Sequence, residues 1–203
     1  ANADYSVRLW NAKTGMLIAT LVQHTQPVDS VAWSPDSQEV ASVSADGNLI
    51  VWNAKTYQPI LTIQTNPLMS VAWSPDGKKI AASIPNQNSV QIWSAQGNPI
   101  TSIDALVNSG GGLSWSPDST HLLSGGPLEI DVNAGQTLSV DECGVGYGGA
   151  AWRHDGKEIA AFGATDAAVS SSSKSNADFG VLCFLDPTTG LVTRSVPEKD
   201  QVF

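Results

Sequence analysis

The chain has 203 residues, of which 41% are hydrophobic and 14% charged, and ten Lys and Arg stand against nineteen Asp and Glu for a formal charge of −9. That composition supports a substantial packed core and excludes a solvated, disordered polymer. The acidic balance argues against nucleic acid and anionic membrane surfaces as partners, and no apolar run approaches the ~20 residues of a membrane helix.

The N-terminal stretch ANADYSVRLWN lacks the basic and apolar regions of a signal peptide. It reads as the second half of a repeat, with VRLWN an alternating strand that ends on Trp10. The next unit is predicted in full. VDSVAW is an alternating run stopped by the turn SPDS, EVASVS runs to the turn ADGN, LIVWN to the turn AKTY, and QPILTI completes it. Turn residues about every ten positions, with valine, isoleucine and tryptophan between them, predict a four-stranded antiparallel meander.

The pattern recurs down the chain. Trp33, Trp73, Trp115 and Trp152 are 40, 42 and 37 residues apart, and Trp10, Trp52 and Trp93 are 42 and 41 apart, so the two series use all seven tryptophans. A lone meander cannot bury both apolar faces, and stacking neighbours around an axis solves that, as in a propeller. The expected fold is all-β: a β-propeller of four-stranded antiparallel blades, present as an incomplete arc of a larger ring. One segment spans residues 1–203. Residues 1–22 form the second half of a blade, 23–63, 64–104 and 105–140 are blades, 141–197 is a blade with a Ser-rich insertion at 163–180, and 198–203 open a further blade. The missing blades would come from the rest of a parent chain or from another chain.

The stretch from Gln23 to Thr56, QHTQPVDSVAWSPDSQEVASVSADGNLIVWNAKT, resembles a unit of the WD-repeat β-propeller family, with Gln-His for its Gly-His and Trp-Asn for its Trp-Asp. The resemblance implies that the family's structural tetrad falls on His24, Ser42, Asp46 and Trp52. In the third unit it places Thr65 near the histidine position, Ser83 at that of Ser42, Gln87 at that of Asp46, and keeps Trp93. In the fourth it places Val132 at the tryptophan position, with a shortened turn at Gly125 to Leu128. In the fifth, Leu185 takes that position and Asp186 supplies the family aspartate.

The four copies AWSPDS, AWSPDG, SWSPDS and AWRHDG could offer a serine nucleophile and a carboxylate. Proline followed by Asp and Gly or Ser also suits a tight turn, and no histidine recurs with it. The copies are therefore read as turns, with the tryptophan packing between blades. His24, His121 and His154 occupy different places in their units, so no metal site is expected. Cys143 and Cys183 form no CxxC motif, and a disulfide between them stays open. GVGYGG at 144–149 and NSGGG at 108–112 lack the following helix of a phosphate loop and read as strand connections. In the fourth copy Arg153 and His154 replace Ser-Pro, in the same unit as the serine insertion, which reads as a mobile loop or a binding element.

The implied function is a non-enzymatic scaffold that binds a protein or peptide and needs no cofactor. Loops on a rigid scaffold carry recognition, which nominates Pro27, Asp29, Asn66, Met69, Asn86, Tyr147, Ser171 and Ser172. The alternative is a sensor or substrate gate attached to a hydrolase or kinase domain. The compartment is left open, with the cytoplasm favoured.

Overall fold

A computed structural model describes residues 4–105, 112–124, 128–139, 149–164 and 180–197. It contains eighteen strands among these residues and no α-helix, the one helical element being a 3-10 turn at Pro85–Gln87. The chain divides into two compact units, residues 1–102 and 103–203.

In the first unit β1 (Ser6–Trp10) pairs with β2 (Leu17–Val22) as a two-stranded sheet. The second sheet runs β3 (Val28–Trp33), β4 (Glu39–Ser44), β5 (Asn48–Asn53), β6 (Pro59–Gln64). The third runs β7 (Val71–Trp73), β8 (Lys79–Ile84), β9 (Ser89–Ser94), β10 (Pro99–Asp104), the last strand crossing the boundary between units. In the second unit β11 (Leu113–Trp115), β12 (His121–Ser124), β13 (Leu128–Asp131) and β14 (Gln136–Ser139) form one sheet. The other consists of β15 (Ala150–Trp152), β16 (Ile159–Ala164), β17 (Gly180–Leu185) and β18 (Val192–Pro197). Every sheet is a sequential meander, as the turn spacing predicts.

The turns explain why the meanders close where they do. Ser34 Oγ donates to Asp36 Oδ1 at 2.6 Å and accepts from the Glu39 amide at 2.9 Å, while the Gln38 amide reaches Asp36 Oδ1 at 3.0 Å. Ser74 with Asp76 and Ser116 with Asp118 repeat the arrangement. In the fourth copy Arg153 stands in for serine and grips Asp155 from Nε at 2.7 Å and from a terminal nitrogen at 2.9 Å. The residue after each aspartate, Ser37, Gly77, Ser119 or Gly156, has φ between 61° and 72°. At the same end of the sheets, in the turns between β1 and β2, β5 and β6, β13 and β14, and β17 and β18, Asn11, Asn53, Asp131 and Asp186 each accept from the amides two and three residues on, closing Asx turns.

These turns make a prediction about acid. The Ser34 hydroxyl holds Asp36 below the usual carboxylate range, the Ser116 and Thr120 hydroxyls bring Asp118 to about 2, and the Arg153 guanidinium brings Asp155 to about 2. Partial burial pushes Asp76 up, but the Ser74 hydroxyl and Lys78 amide more than offset it. A carboxyl lowered in the folded state stabilises above its unfolded value of 3.8, and that contribution is lost as pH falls through the folded value. Glu39 and Glu129 are shifted up and act in the opposite sense, but they are outnumbered. Urea unfolding should show stability declining from about pH 4 towards pH 2, and a flat profile over that range would contradict the assignment.

Between the second and third sheets lies a core of Ala41, Val43, Leu49, Val51, Leu68, Ile80, Ala82, Ile84 and Trp93. Trp73 packs into it and is 8% exposed, whereas Trp33, at the same place in the previous repeat, is 52% exposed. The packing expected of the AWSPD tryptophans is thus seen at Trp73, where the neighbouring sheet has four strands, while Trp33 borders a sheet of two. Its own sheet faces a neighbour of two strands, whose cluster of Val7, Leu9 and Leu21 covers Val28, Val40, Ile50 and Trp52 and stops short of it.

Strand register corrects a second expectation. Trp52 pairs with Val40 and Trp93 with Ile80, and in the fourth unit the partner of Leu122 is Ile130. Ile130, not Val132, occupies the tryptophan position. The Val132 amide bonds to the Thr120 carbonyl as the Ala54 amide does to Gln38, so it lies two residues further on. In the fifth unit Ile159 faces Leu185. The turn expected at 125–128, the glycine runs at 108–112 and 144–149, and the serine insertion fall wholly or largely outside the described residues.

Candidate functional site: a loop face and an intersheet pocket

At one end of the first unit four loops are wired to each other. Between β2 and β3, His24 places Nδ1 3.0 Å from Asp46 Oδ2 and Nε2 2.8 Å from Ser42 Oγ, and Ser42 Oγ accepts from Trp52 Nε1 at 2.8 Å. One proton assignment satisfies the whole chain: the indole donates to the serine, the serine to Nε2, and Nδ1–H to the carboxylate. The side chains of His24 and Asp46 are buried. Burial pushes the Asp46 carboxyl up, but the amides of Thr25 and Asn48 and the His24 ring more than offset it and hold it below the usual range.

This network pins the loop at 24–28 to the turn at 45–48. Ser44 Oγ donates to the Gln26 carbonyl at 3.1 Å, and the Ala45 amide to the Pro27 carbonyl at 3.3 Å. The loop at 65–70 joins through the Leu68 amide to the Ser44 carbonyl and the Thr65 amide to the Gly47 carbonyl at 2.7 Å. Gly47 has φ of +80°, and a Cβ there would lie 2.7 Å from the Thr65 carbonyl oxygen, so this crossing requires glycine. The Met69 amide continues the chain of contacts to the Ser83 carbonyl, below the turn at Pro85–Gln87.

Pro27, Asp29, Asn66, Met69 and Asn86 are all exposed on or beside these loops. Tyr147, Ser171 and Ser172 lie outside the described residues. Gln87 does not take the place of Asp46: it is exposed in the 3-10 turn, and Ser83 Oγ instead accepts from the Ser70 amide at 3.0 Å. The residues at 23–29, 45–48, 64–70 and 84–89 include no Lys or Arg, and Gln23, Gln26, Gln64, Asn66, Asn86 and Asn88 are exposed among them. The lysines of the second and third repeats, Lys55, Lys78 and Lys79, stand in or beside the turns at the opposite end of their strands. The face is thus neutral to acidic and rich in amides, which both donate and accept hydrogen bonds.

In the second unit a cavity of about 330 Å³ opens between the two sheets, lined among the described residues by Pro117, Asp118, His121, Glu129, Trp152 and Pro187 with their neighbours. Glu129 is 3% exposed, and burial pushes its carboxyl up. Its partner across the strand pair is Leu123, the register position held by Val51 in the second sheet and Ile92 in the third. Across from it stands the His121 ring, with Nε2 3.9 Å from Oε1. The His121 and Trp152 rings stand 6.5 Å apart, tilted by 42°. The sequence reading missed this pocket; a lone glutamate in LEID at an apolar strand position was the signal, hidden by aligning Val132 with the tryptophans. Among the described residues no group of three or more His, Cys, Asp and Glu side chains converges as a metal site would require.

The repeat model described as "WD domain, G-beta repeat" matches residues 15–53 and 57–94. The chain is similar to the Coronin-like protein of Saccharomyces cerevisiae, 40% identical over 55 residues that cover 27% of this chain and 8% of that protein. It is also similar to Coronin-7 of Mus musculus, 36% identical over 53 residues, 26% of this chain and 6% of that protein. The chain thus matches less than a tenth of the length of these relatives. Among solved structures it is similar in fold to a chain of Kuenenia stuttgartiensis hydrazine synthase, with a TM-score of 0.70 at 19% identity, covering 87% of this chain and 51% of that one.

Proposed function

The chain being a WD-repeat β-propeller protein, we propose that it is a non-enzymatic scaffold whose loop face between Gln23 and Ser89 binds a polar segment of a protein partner. The observation that carries this is the wiring of four loops into one surface over a buried, fully satisfied network. Recognition loops held on a rigid base lose little freedom on binding. A surface without cations and rich in side-chain amides suits an uncharged or basic peptide whose main chain it can meet with both donors and acceptors. Protein interaction is the role typical of WD repeats, and the chain is also similar over about a quarter of its length to coronins.

Cys183 in β17 is disulfide-bonded, and the sequence holds one other cysteine, Cys143, outside the described residues. Disulfides persist where thiols are not kept reduced. This favours an oxidising compartment over the cytoplasm that the sequence suggested.

The test is a comparison of two ends of the same strands. A partner cross-linked to the chain in its native source and identified by mass spectrometry should lose affinity by roughly tenfold or more with Asn66→Arg plus Met69→Glu. Lys55→Glu plus Lys78→Glu should leave that affinity within about threefold, with thermal unfolding unchanged in both variants. Equal retention by the two variants would overturn the loop-face assignment.

A further inference from the structure

We propose that the cavity in the second unit is a receptor for the cationic side chain of a lysine or arginine presented by a peptide, with Glu129 as its counter-charge. This rests on reading the chain as a binding scaffold, and adds a site that the loop face does not include.

Three observations converge on that occupant. First, Glu129 is a carboxylate at a strand position that is apolar in the second and third sheets, and it lines an open cavity rather than a packed core. It accepts no hydrogen bond from any described residue, and a carboxylate held out of water without a donor destabilises the fold. Second, His121 presents a bare nitrogen to the same space. The Thr120 hydroxyl lies 2.7 Å from Asp118 Oδ1 and 2.8 Å from His121 Nδ1. Its single proton goes to the carboxylate, so Nδ1 carries a proton on the ring, and in the singly protonated ring Nε2 is an acceptor. Two acceptors, Nε2 and Oε1, then stand 3.9 Å apart with nothing between them to donate. An ammonium or guanidinium group satisfies both.

Third, the remaining wall suits the stem of such a side chain. Trp152, Pro117 and Pro187 are apolar, and an indole ring attracts a cation. The anionic character is not cancelled locally. Asp155 is already engaged by Arg153, but Asp118 takes its three hydrogen bonds on Oδ1 and leaves Oδ2 without a donor among the described residues. The volume falls at the small end of the roughly 300–1,000 Å³ of ligand pockets, which fits one side chain better than a folded ligand.

The experiment is an NMR titration of the full chain, 15N-labelled, with the peptides acetyl-Gly-Lys-Gly-amide and acetyl-Gly-Arg-Gly-amide, and norleucine in place of lysine as the uncharged control. The Trp152 indole resonance, assigned with Trp152→Phe, should shift saturably with the cationic peptides and not with norleucine, and the better of the two identifies the side chain. Glu129→Gln should weaken the shift roughly tenfold, as for loss of a charge-assisted hydrogen bond, and should raise the melting temperature, because it removes an unpaired buried charge. If Glu129→Gln does not fold, raising salt from about 0.05 to 0.5 M on the unaltered chain should weaken binding severalfold instead. An equal response to norleucine, an unchanged affinity in Glu129→Gln, or ring 15N shifts showing His121 doubly protonated without peptide would overturn the proposal. Asn66→Arg plus Met69→Glu should leave this titration unchanged, so failure of the loop face and failure of the pocket are read separately.

Discussion

Replacing Trp73 by alanine is expected to lower the unfolding free energy by about 3–5 kcal/mol, the range for removing a large aromatic from a packed core. The same replacement at Trp33 should cost about 1 kcal/mol or less. The two residues share the motif AWSPD and the same strand end, so intrinsic propensity does not separate them. What separates them is the neighbouring sheet: Trp73 packs against Ala41, Val43, Leu49 and Val51, while Trp33 stands beside a sheet of two strands. Chemical unfolding followed by far-UV circular dichroism reads both variants without relying on tryptophan emission. Equal costs would mean that local turn geometry, rather than packing between sheets, determines the contribution of this tryptophan.

The second large effect is at His24. Alanine there removes the ring N–H from Asp46 Oδ2 and the acceptor from the Ser42 hydroxyl, although the Thr25 and Asn48 amides and the Trp52 indole remain, and a loss of about 1–3 kcal/mol is expected. Because Ser42 joins His24 to Trp52, His24→Ala and Ser42→Ala should not add. The double variant should cost less than the sum of the single changes by at least about 0.5 kcal/mol. Additive costs would show that the four side chains act independently. Binding of a partner at the loop face should survive His24→Ala, since the ring is buried below that surface; loss of binding with unchanged thermal unfolding would reassign His24 to recognition.

Much of this architecture is legible in the sequence because its determinants are short-range. Ser34, Asp36 and the Glu39 amide close their turn within six residues, and the serine and aspartate recur in the third and fourth units, so strand ends can be read directly. The His24 network is readable for another reason: four polar or indole groups recur in register with a known repeat. Trp33 is not legible, because its exposure depends on how many strands the adjacent sheet has. Gln87 matches Asp46 by position but sits in a turn whose backbone carries it into solvent. The pocket was hidden by register. Only the pairing of Leu122 with Ile130 shows that Glu129 occupies a core position, and only the fold brings Trp152 and Pro187 beside it.

The Ser-Pro-Asp turns also bear on how the chain reaches this state. Each closes a loop of five residues, from Ser34 to Glu39 in the first copy, whereas the contact between His24 and Asp46 closes one of 22. Closure entropy rises with loop length, and contacts distant in sequence wait for those nearer by. The hairpins β3–β4, β7–β8 and β11–β12 therefore have a local route to formation that needs nothing from any other sheet. The buried network and the loop face above it come later, once β5 has delivered Trp52 and the chain before β3 has been drawn back over it, so the recognition surface is among the last parts of its blade to be assembled.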